Sequence, residues 1–264
     1  MSSAEERAIS FLYERYSEPL SLADIANSAI LSRFHFCRTF RDATGVTPGR
    51  FLSAIRIYQA KRMLLNTRMN VTDIAFAVGY NSLGSFSNHF TDSVGIAPGR
   101  FRRISQSEGF KLPRTQRASS SQATVTGTIV FPQGYARGQV YLGAFDTPIV
   151  QRQPAAAVLI DAPATAEPSS FQLTGVPEGT WFLRAVAVAD NTDPEPWTRR
   201  TLLVGGAGPV TITADAVISA RIELRTRRAT DLPILLALPN LEPQPAEAAP
   251  AQEGLAAAQT MRSA

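Results

Sequence analysis

Leu22-Ala23-Asp24-Ile25-Ala26 returns as Val71-Thr72-Asp73-Ile74-Ala75. Ser32…Phe36…Phe40…Gly45-Val46-Thr47-Pro48-Gly49-Arg50-Phe51 returns as Ser82…Phe86…Phe90…Gly95-Ile96-Ala97-Pro98-Gly99-Arg100-Phe101. The offset is 49 in the first block and 50 in the second, so the second copy carries one extra residue between its blocks. Each copy reads as a short helix, a turn, a longer helix and a Gly-x-x-Pro stop. Ser21 with Asp24, and Asn70 with Asp73, have the spacing of a residue that caps a helix and a partner that reaches back. Ser32 and Ser82 cap the longer helix of each copy.

Between the copies, Pro48 suits a first helical turn. Phe51, Ala54, Ile55, Tyr58 and Leu65 line one face of a helix running to about Asn66. This helix joins the units rigidly. A further helix over residues 4–16 precedes them, with Ala8, Ile9, Phe11, Leu12 and Tyr16 on a broad apolar face, and Pro19 ends it.

The chain has 264 residues, 44% hydrophobic and 18% charged, as in a soluble globular protein with a sizeable core. It contains no apolar run of membrane-spanning length and begins without a signal-peptide layout, so a cytoplasmic protein is expected. The single Cys37 excludes a disulfide within this sequence, and with only His35 and His89 no metal site or cofactor is expected. Charge is unevenly placed. Residues 1–118 hold 16 Lys+Arg and 9 Asp+Glu, giving +7, while 119–264 hold 10 and 13, giving −3. The basic half contains the repeats, where a phosphate backbone would be met.

In a helix-turn-helix the second helix enters the major groove, so one side must be polar and the other apolar. The core side is expected to be Phe36, Phe40 and Ala43 in the first copy, and Phe86 and Phe90 in the second. Arg33, Phe34, His35, Cys37, Arg38 and Arg41 form the open side of the first. Leu83, Gly84, Ser85, Ser87, Asn88 and His89 form that of the second.

Residues 8–103 resemble the DNA-binding domain of the AraC/XylS family of bacterial transcription regulators. Besides the repeated blocks, the match rests on Arg56, Ala60, Leu64-Leu65, Val78-Gly79-Tyr80 and Phe101-Arg102. The resemblance implies two helices reading successive major-groove segments of double-stranded DNA. Base contacts would come from Arg33, Phe34, His35, Cys37 and Arg38, and from Leu83, Gly84, Ser85, Ser87 and Asn88. Arg41, Arg50, Arg56, Arg62, Arg100 and Arg102 would hold phosphates, with Lys61 and Arg103 as further surface cations. Arg38 has the better chemistry for specificity, since two donors to a guanine edge discriminate by about 1–3 kcal/mol. The second helix has Asn88, Thr91 and Asp92 where family members commonly place basic residues, and Gly84 weakens it by about 1 kcal/mol relative to Ala. It is expected to read less strongly. Cys37 beside Arg33, Arg38 and Arg41 is open as a redox switch, but an unreactive small side chain is the stronger reading.

After Arg103 the composition changes to Ser, Arg, Gln and Thr, and residues 105–122 read as a linker. From Thr124 the period falls to two. Strands are expected at 124–131, 138–145, 169–174, 180–189, 200–204, 209–213 and 217–225, with Gly205-Gly206-Ala207-Gly208 as a loop rather than a phosphate cradle. The expected architecture is therefore multidomain α plus β. An all-α double helix-turn-helix domain over 1–104 is followed, after the linker, by a small antiparallel β-sandwich over 123–228. An Ala/Pro-rich, mostly disordered tail covers 229–264. The β-region resembles transthyretin-like, carboxypeptidase-regulatory sandwiches through Gly175-Val176-Pro177-Glu178-Gly179-Thr180-Trp181. Its open roles are effector sensing, dimerisation or docking, with Tyr141, Trp181 and Trp197 as candidates for an apolar site.

No catalytic constellation is present, and the chain is not read as an enzyme. The expected function is sequence-specific DNA-binding transcription regulation, an activator sooner than a repressor. The alternative is a ligand- or protein-binding β-module whose N-terminal helices mediate protein interaction. Double-stranded DNA is the expected partner. RNA polymerase, a small-molecule effector and a second copy through 123–228 are open as further ones; a membrane is not.

Overall fold

The computed structural model describes residues 3–105, 123–162, 167–191, 200–214 and 216–238. Seven helices come first: α1 (Ala4–Arg15), α2 (Leu22–Ser28), α3 (Arg33–Thr44), α4 (Pro48–Asn66), α5 (Val71–Ala77), α6 (Leu83–Val94) and α7 (Pro98–Ser105). Their ends follow local chemistry. Ser21 Oγ accepts from the Asp24 amide at 3.2 Å while Asp24 accepts from the Ser21 amide at 2.8 Å, and Asn70 Oδ1 accepts from the Asp73 amide at 2.8 Å. Ser32 and Ser82 accept from the amides of His35 and Ser85. Gly45 and Gly95 end α3 and α6 at φ 78° and 90°, a left-handed conformation that favours glycine.

The helices share one core, and α4 is its spine. Phe51, Leu52, Ala54, Ile55, Ile57, Ala60, Lys61 and Leu64 are all buried, so α4 is enclosed on nearly every side rather than on the single face expected. Aromatic packing repeats with the sequence. Phe36 and Phe40 lie 5.2 Å apart between ring centroids, and Phe40 meets Phe51 edge-on at 5.4 Å. Phe86 and Phe90 lie at 5.6 Å, and Phe90 meets Phe101 edge-on at 5.8 Å.

The β-rich region has two sheets. Strands β1 (Thr124–Val130), β4 (Ser169–Thr174) and β7 (Val217–Glu223) form one, ordered β4-β1-β7. Strands β2 (Tyr135–Phe145), β3 (Ala156–Ala162), β5 (Gly179–Asn191), β6 (Arg200–Ile212) and β8 (Arg225–Thr226) form the other, ordered β3-β2-β5-β6-β8. Val125, Ile129, Phe171 and Ile222 of the first sheet and Val140, Leu142, Leu183 and Leu203 of the second share one buried cluster.

Several expectations change here. The region is not wholly antiparallel, because β1 pairs with β7 in parallel, a crossover that leaves no turn signal. Strand β3 adds to the strands expected. Residues 200–204 and 209–213 belong to one strand, since Gly205 and Gly206 pair with Ala185 and Arg184. Their missing side chains are required by close backbone. A Cβ would stand 2.6 Å from Glu223 O at Gly205 and 2.5 Å from Leu183 O at Gly206.

The tail expected from 229 does not begin there. Ile234, Leu235, Leu236, Ala237 and Leu238 are buried, forming a strap between the helices and the five-stranded sheet. Leu235 and Ala237 join the helical core. Ile234, Leu236 and Leu238 pack with Tyr141, Phe145, Val150 and Val186. An apolar run of this density stabilises the chain more by burial than by remaining solvated. Tyr141 is thus covered and lines no open site. Residues 106–122 of the linker, Trp197, and 239–264 lie outside the described residues.

Candidate nucleic-acid interface

The faces of α3 and α6 correspond residue for residue. Phe36, Phe40 and Thr44 are buried in α3, and Phe86, Phe90 and Val94 in α6, each set spaced by four. Ala43, expected in the core, is exposed because the buried stripe runs through Thr44 instead. Arg33, Phe34, His35, Arg38 and Arg41 are exposed on α3, as are Leu83, Gly84, Ser85 and Asn88 on α6. Cys37 and Ser87 are half-buried at matching positions. Phe34 is 89% exposed and therefore not a packing residue of this fold.

His89 departs from the open side on which the sequence placed it. It is half-buried, and its Nδ1 lies 2.5 Å from the Tyr80 hydroxyl. Burial holds its imidazole below the ordinary value, opposed by Asp92 and assisted by Arg152. Burial likewise pushes the Tyr80 phenol up to about 12, against the pull of Arg56.

The arginines divide into two kinds. Arg33, Arg38, Arg41, Arg50, Arg62 and Arg100 are exposed, and their side chains make no hydrogen bond or ion pair among the described residues. Arg56 and Arg102 are structural, which corrects their reading as phosphate ligands. Arg56 donates from Nε to Tyr16 O and from Nη2 to Glu18 O, both at 2.7 Å, fixing the chain after α1. Arg102 donates to Leu64 O at 3.2 Å and Met69 O at 2.6 Å, fixing the end of α4. A guanidinium supplies five donors in a fixed fork, well matched to carbonyls at a helix end. Lys61, also read as a surface cation, is 2% exposed. Its Nζ donates to Leu236 O at 3.0 Å and Ile234 O at 3.3 Å, and lies over the Phe101 ring.

Charge separates the two helices. α3 carries Arg33, Arg38 and Arg41 against Asp42, whereas the only charged residue of α6 is Asp92. Asp92 is paired with Arg152 of the β-region at 2.6 Å. The Arg152 amide donates to Ser93 O at 2.8 Å, and the Ala237 amide donates to Val94 O at 3.1 Å. Carbonyls that a helix end leaves without partners are therefore satisfied at α6 by the β-region and the strap.

Residues 25–104 match a family model described as a helix-turn-helix domain. The lactose operon transcription activator of Staphylococcus xylosus is 30% identical over 97 residues, covering 37% of this chain and 35% of that protein. Residues 25–104 form an AraC-type helix-turn-helix domain. The bifunctional transcriptional activator/DNA repair enzyme AdaA of Bacillus subtilis is 31% identical over 98 residues, covering 37% of this chain and 46% of AdaA. The chain thus spans less than half the length of these curated relatives. Among solved structures, the DNA-binding domain of AdpA in complex with a target DNA is 28% identical. It covers 40% of this chain and 95% of that one, with a TM-score of 0.38. The AraC-type match begins within α2 and ends in α7, and so contains all the candidate base-reading residues.

Arg152, Arg184 and the strap were missed from the sequence. Leu232-Pro233-Ile234-Leu235-Leu236-Ala237-Leu238 was the available signal, an apolar run between Asp231 and Pro239. Nothing local distinguishes Arg152 or Arg184 from solvated arginines.

Proposed function

We propose that this protein is a sequence-specific DNA-binding transcription regulator that acts by binding and not by catalysis. The observation that carries the reading is the matched exposure of α3 and α6, held on a common buried spine, with unpaired arginines concentrated on α3. Phosphate contacts from Arg41, Arg50, Arg62 and Arg100 supply affinity and position, and base edges supply specificity. Arg38 and Arg33 on α3 contribute most of the discrimination, with Phe34 placed to meet a thymine methyl. Ser85, Ser87 and Asn88 on α6 read more weakly. Likeness to a lactose operon transcription activator favours activation, with RNA polymerase as the protein partner.

We read the two sheets of the β-region as a sandwich of transthyretin-like type. The Gly175–Trp181 turn supports this. Gly175 stands at φ 69°, and the Trp181 indole donates to Pro177 O at 2.8 Å. Exposed Leu159 on edge strand β3 and Val217 on edge strand β7 support pairing of two copies through 123–228.

The test is binding of the full chain to DNA selected from a random pool, at several salt concentrations. A selected consensus and a falling log-affinity with log-salt are expected. No enrichment over the starting pool would overturn the reading.

A further inference from the structure

The two AraC-type helices meet the β-region differently. The end of α6 is closed by Arg152 and Ala237, but the end of α3 opens on a cavity of about 530 Å³. Ala43, Thr44 and Gly45 form its helical wall. A Cβ on Gly45 would stand only 3.3 Å from Pro148 of the facing wall, so the two regions meet closely at its rim. This volume is typical of small-molecule sites, which span about 300–1,000 Å³.

Arg184 sets the cavity's chemistry. Its Nε donates to Pro148 O at 3.0 Å, and its Nη1 to Leu183 O at 3.0 Å and Ala207 O at 3.4 Å. These bonds leave Nη2 without a partner among the described residues. The guanidinium lies over the Phe182 ring, 5.3 Å from its centroid. The two carboxylates that line the cavity have other partners, Glu223 only in an exposed pair. Asp231 forms a double hydrogen bond with Arg225 at 2.6 Å, and Glu223 pairs with Arg221 at 3.1 Å. Arg184 alone among the lining cations has no carboxylate among the described residues. Partial burial also depresses its pKa. Arg184 is half-buried, so its free Nη2 stays open to the cavity. The lining is mixed: Val186, Val204 and Ile234 give it apolar surface, beside the polar Thr44 and Thr230.

We infer that this cavity binds a small organic carboxylate with an apolar body, the acid on Arg184 and the body against Phe182 and the end of α3. Filling it packs the body against the end of α3, and so couples the ligand to DNA reading. The coupling rests on the proposed function; the binding does not.

The test uses the full chain and a panel of aliphatic, branched and aromatic monocarboxylates from acetate to phenylacetate, each beside its neutral amide. Calorimetric titration and thermal unfolding are run at fixed pH and ionic strength. At least one acid with an apolar body should bind and raise Tm where its amide does not. Arg184→Gln should weaken it about tenfold or more, the loss of a charge-assisted pair. Ala43→Leu, which narrows the cavity from the helical wall, should also weaken it, and keeps the test valid if Arg184→Gln fails to fold. Binding by no acid, equal binding of the amide, or binding unchanged in both variants overturns the site. DNA affinity that stays the same when the bound acid is saturating overturns the coupling alone. Absence of DNA binding with and without acid counts against the proposed function instead.

Discussion

Replacing Leu235 by Ala tests whether the strap belongs to the folded helical domain. Leu235 is 1% exposed and packs in the same core as Phe51, Ile55 and Phe101. Its amide bond to Val150 O, at 2.8 Å, survives the substitution, so the loss reports side-chain burial. Removing a fully buried leucine side chain costs about 2–5 kcal/mol, the upper values where the cavity cannot collapse. In a disordered tail the same change would cost no more than about 0.5 kcal/mol. With a urea dependence of about 2 kcal/mol per molar, the midpoint should fall by about 1–2.5 M. The assay is urea unfolding followed by helical circular dichroism and by Trp fluorescence. Trp181 reports the β-region and circular dichroism mainly the helices. Both transitions should move. A midpoint unchanged within about 0.25 M, or a helical transition left in place while the fluorescence transition shifts, would put the strap outside the folded helical domain.

Arg56→Ala should lower stability by about 2 kcal/mol through two lost carbonyl bonds and leave the salt slope of DNA binding unchanged. Arg50→Ala should do the opposite, flattening that slope by about 0.9 with little change in Tm; the two effects exchanged would contradict the division of arginines. Arg38→Ala should cost about 1–3 kcal/mol of sequence discrimination and Asn88→Ala less, read by gel shift on cognate and mismatched sites. Equal losses or the reverse order would reject the ranking. Because burial lowers the His89 pKa, the unfolded chain takes up the proton first on acidification. The stability contributed by neutral His89 is complete above the unfolded pKa, about 6.5, and is lost as pH falls toward the lower folded value. His89→Gln should flatten Tm against pH in that window; an unchanged profile would exclude His89 as the titrating group.

Legibility in the sequence followed the range of the interaction. Caps, Phe pairs and Gly-x-x-Pro stops lie within a few residues of one another, so both helix-turn-helix units and most positions on the faces of α3 and α6 follow from spacing, while His89 turns inward to Tyr80. Ala43 was misplaced because the stripe drifts by one residue over two turns, to Thr44. Arg56, Arg102 and Lys61 were misread because their partners are backbone carbonyls 33–175 residues away, and sequence carries no signal for a carbonyl acceptor. Gly205 and Gly206 looked like a loop because close backbone approach favours glycine as strongly as a turn does. The strap was hidden by its neighbourhood, a short apolar run leading into an Ala/Pro-rich segment. The cavity at α3 required both regions to be in place.

If α3 and α6 are unequal reading heads held rigidly by α4, the spacing of their half-sites governs affinity. On DNA selected by the full chain, the two heads should protect major-groove segments about one helical turn, 10–10.5 base pairs, apart on one face. Inserting about five base pairs between them turns one segment to the opposite face. Since α4 is buried on nearly every side and cannot flex to follow, affinity should fall to that of α3 alone, with protection of α6's segment lost. Unchanged affinity with both segments still protected would show heads that move independently.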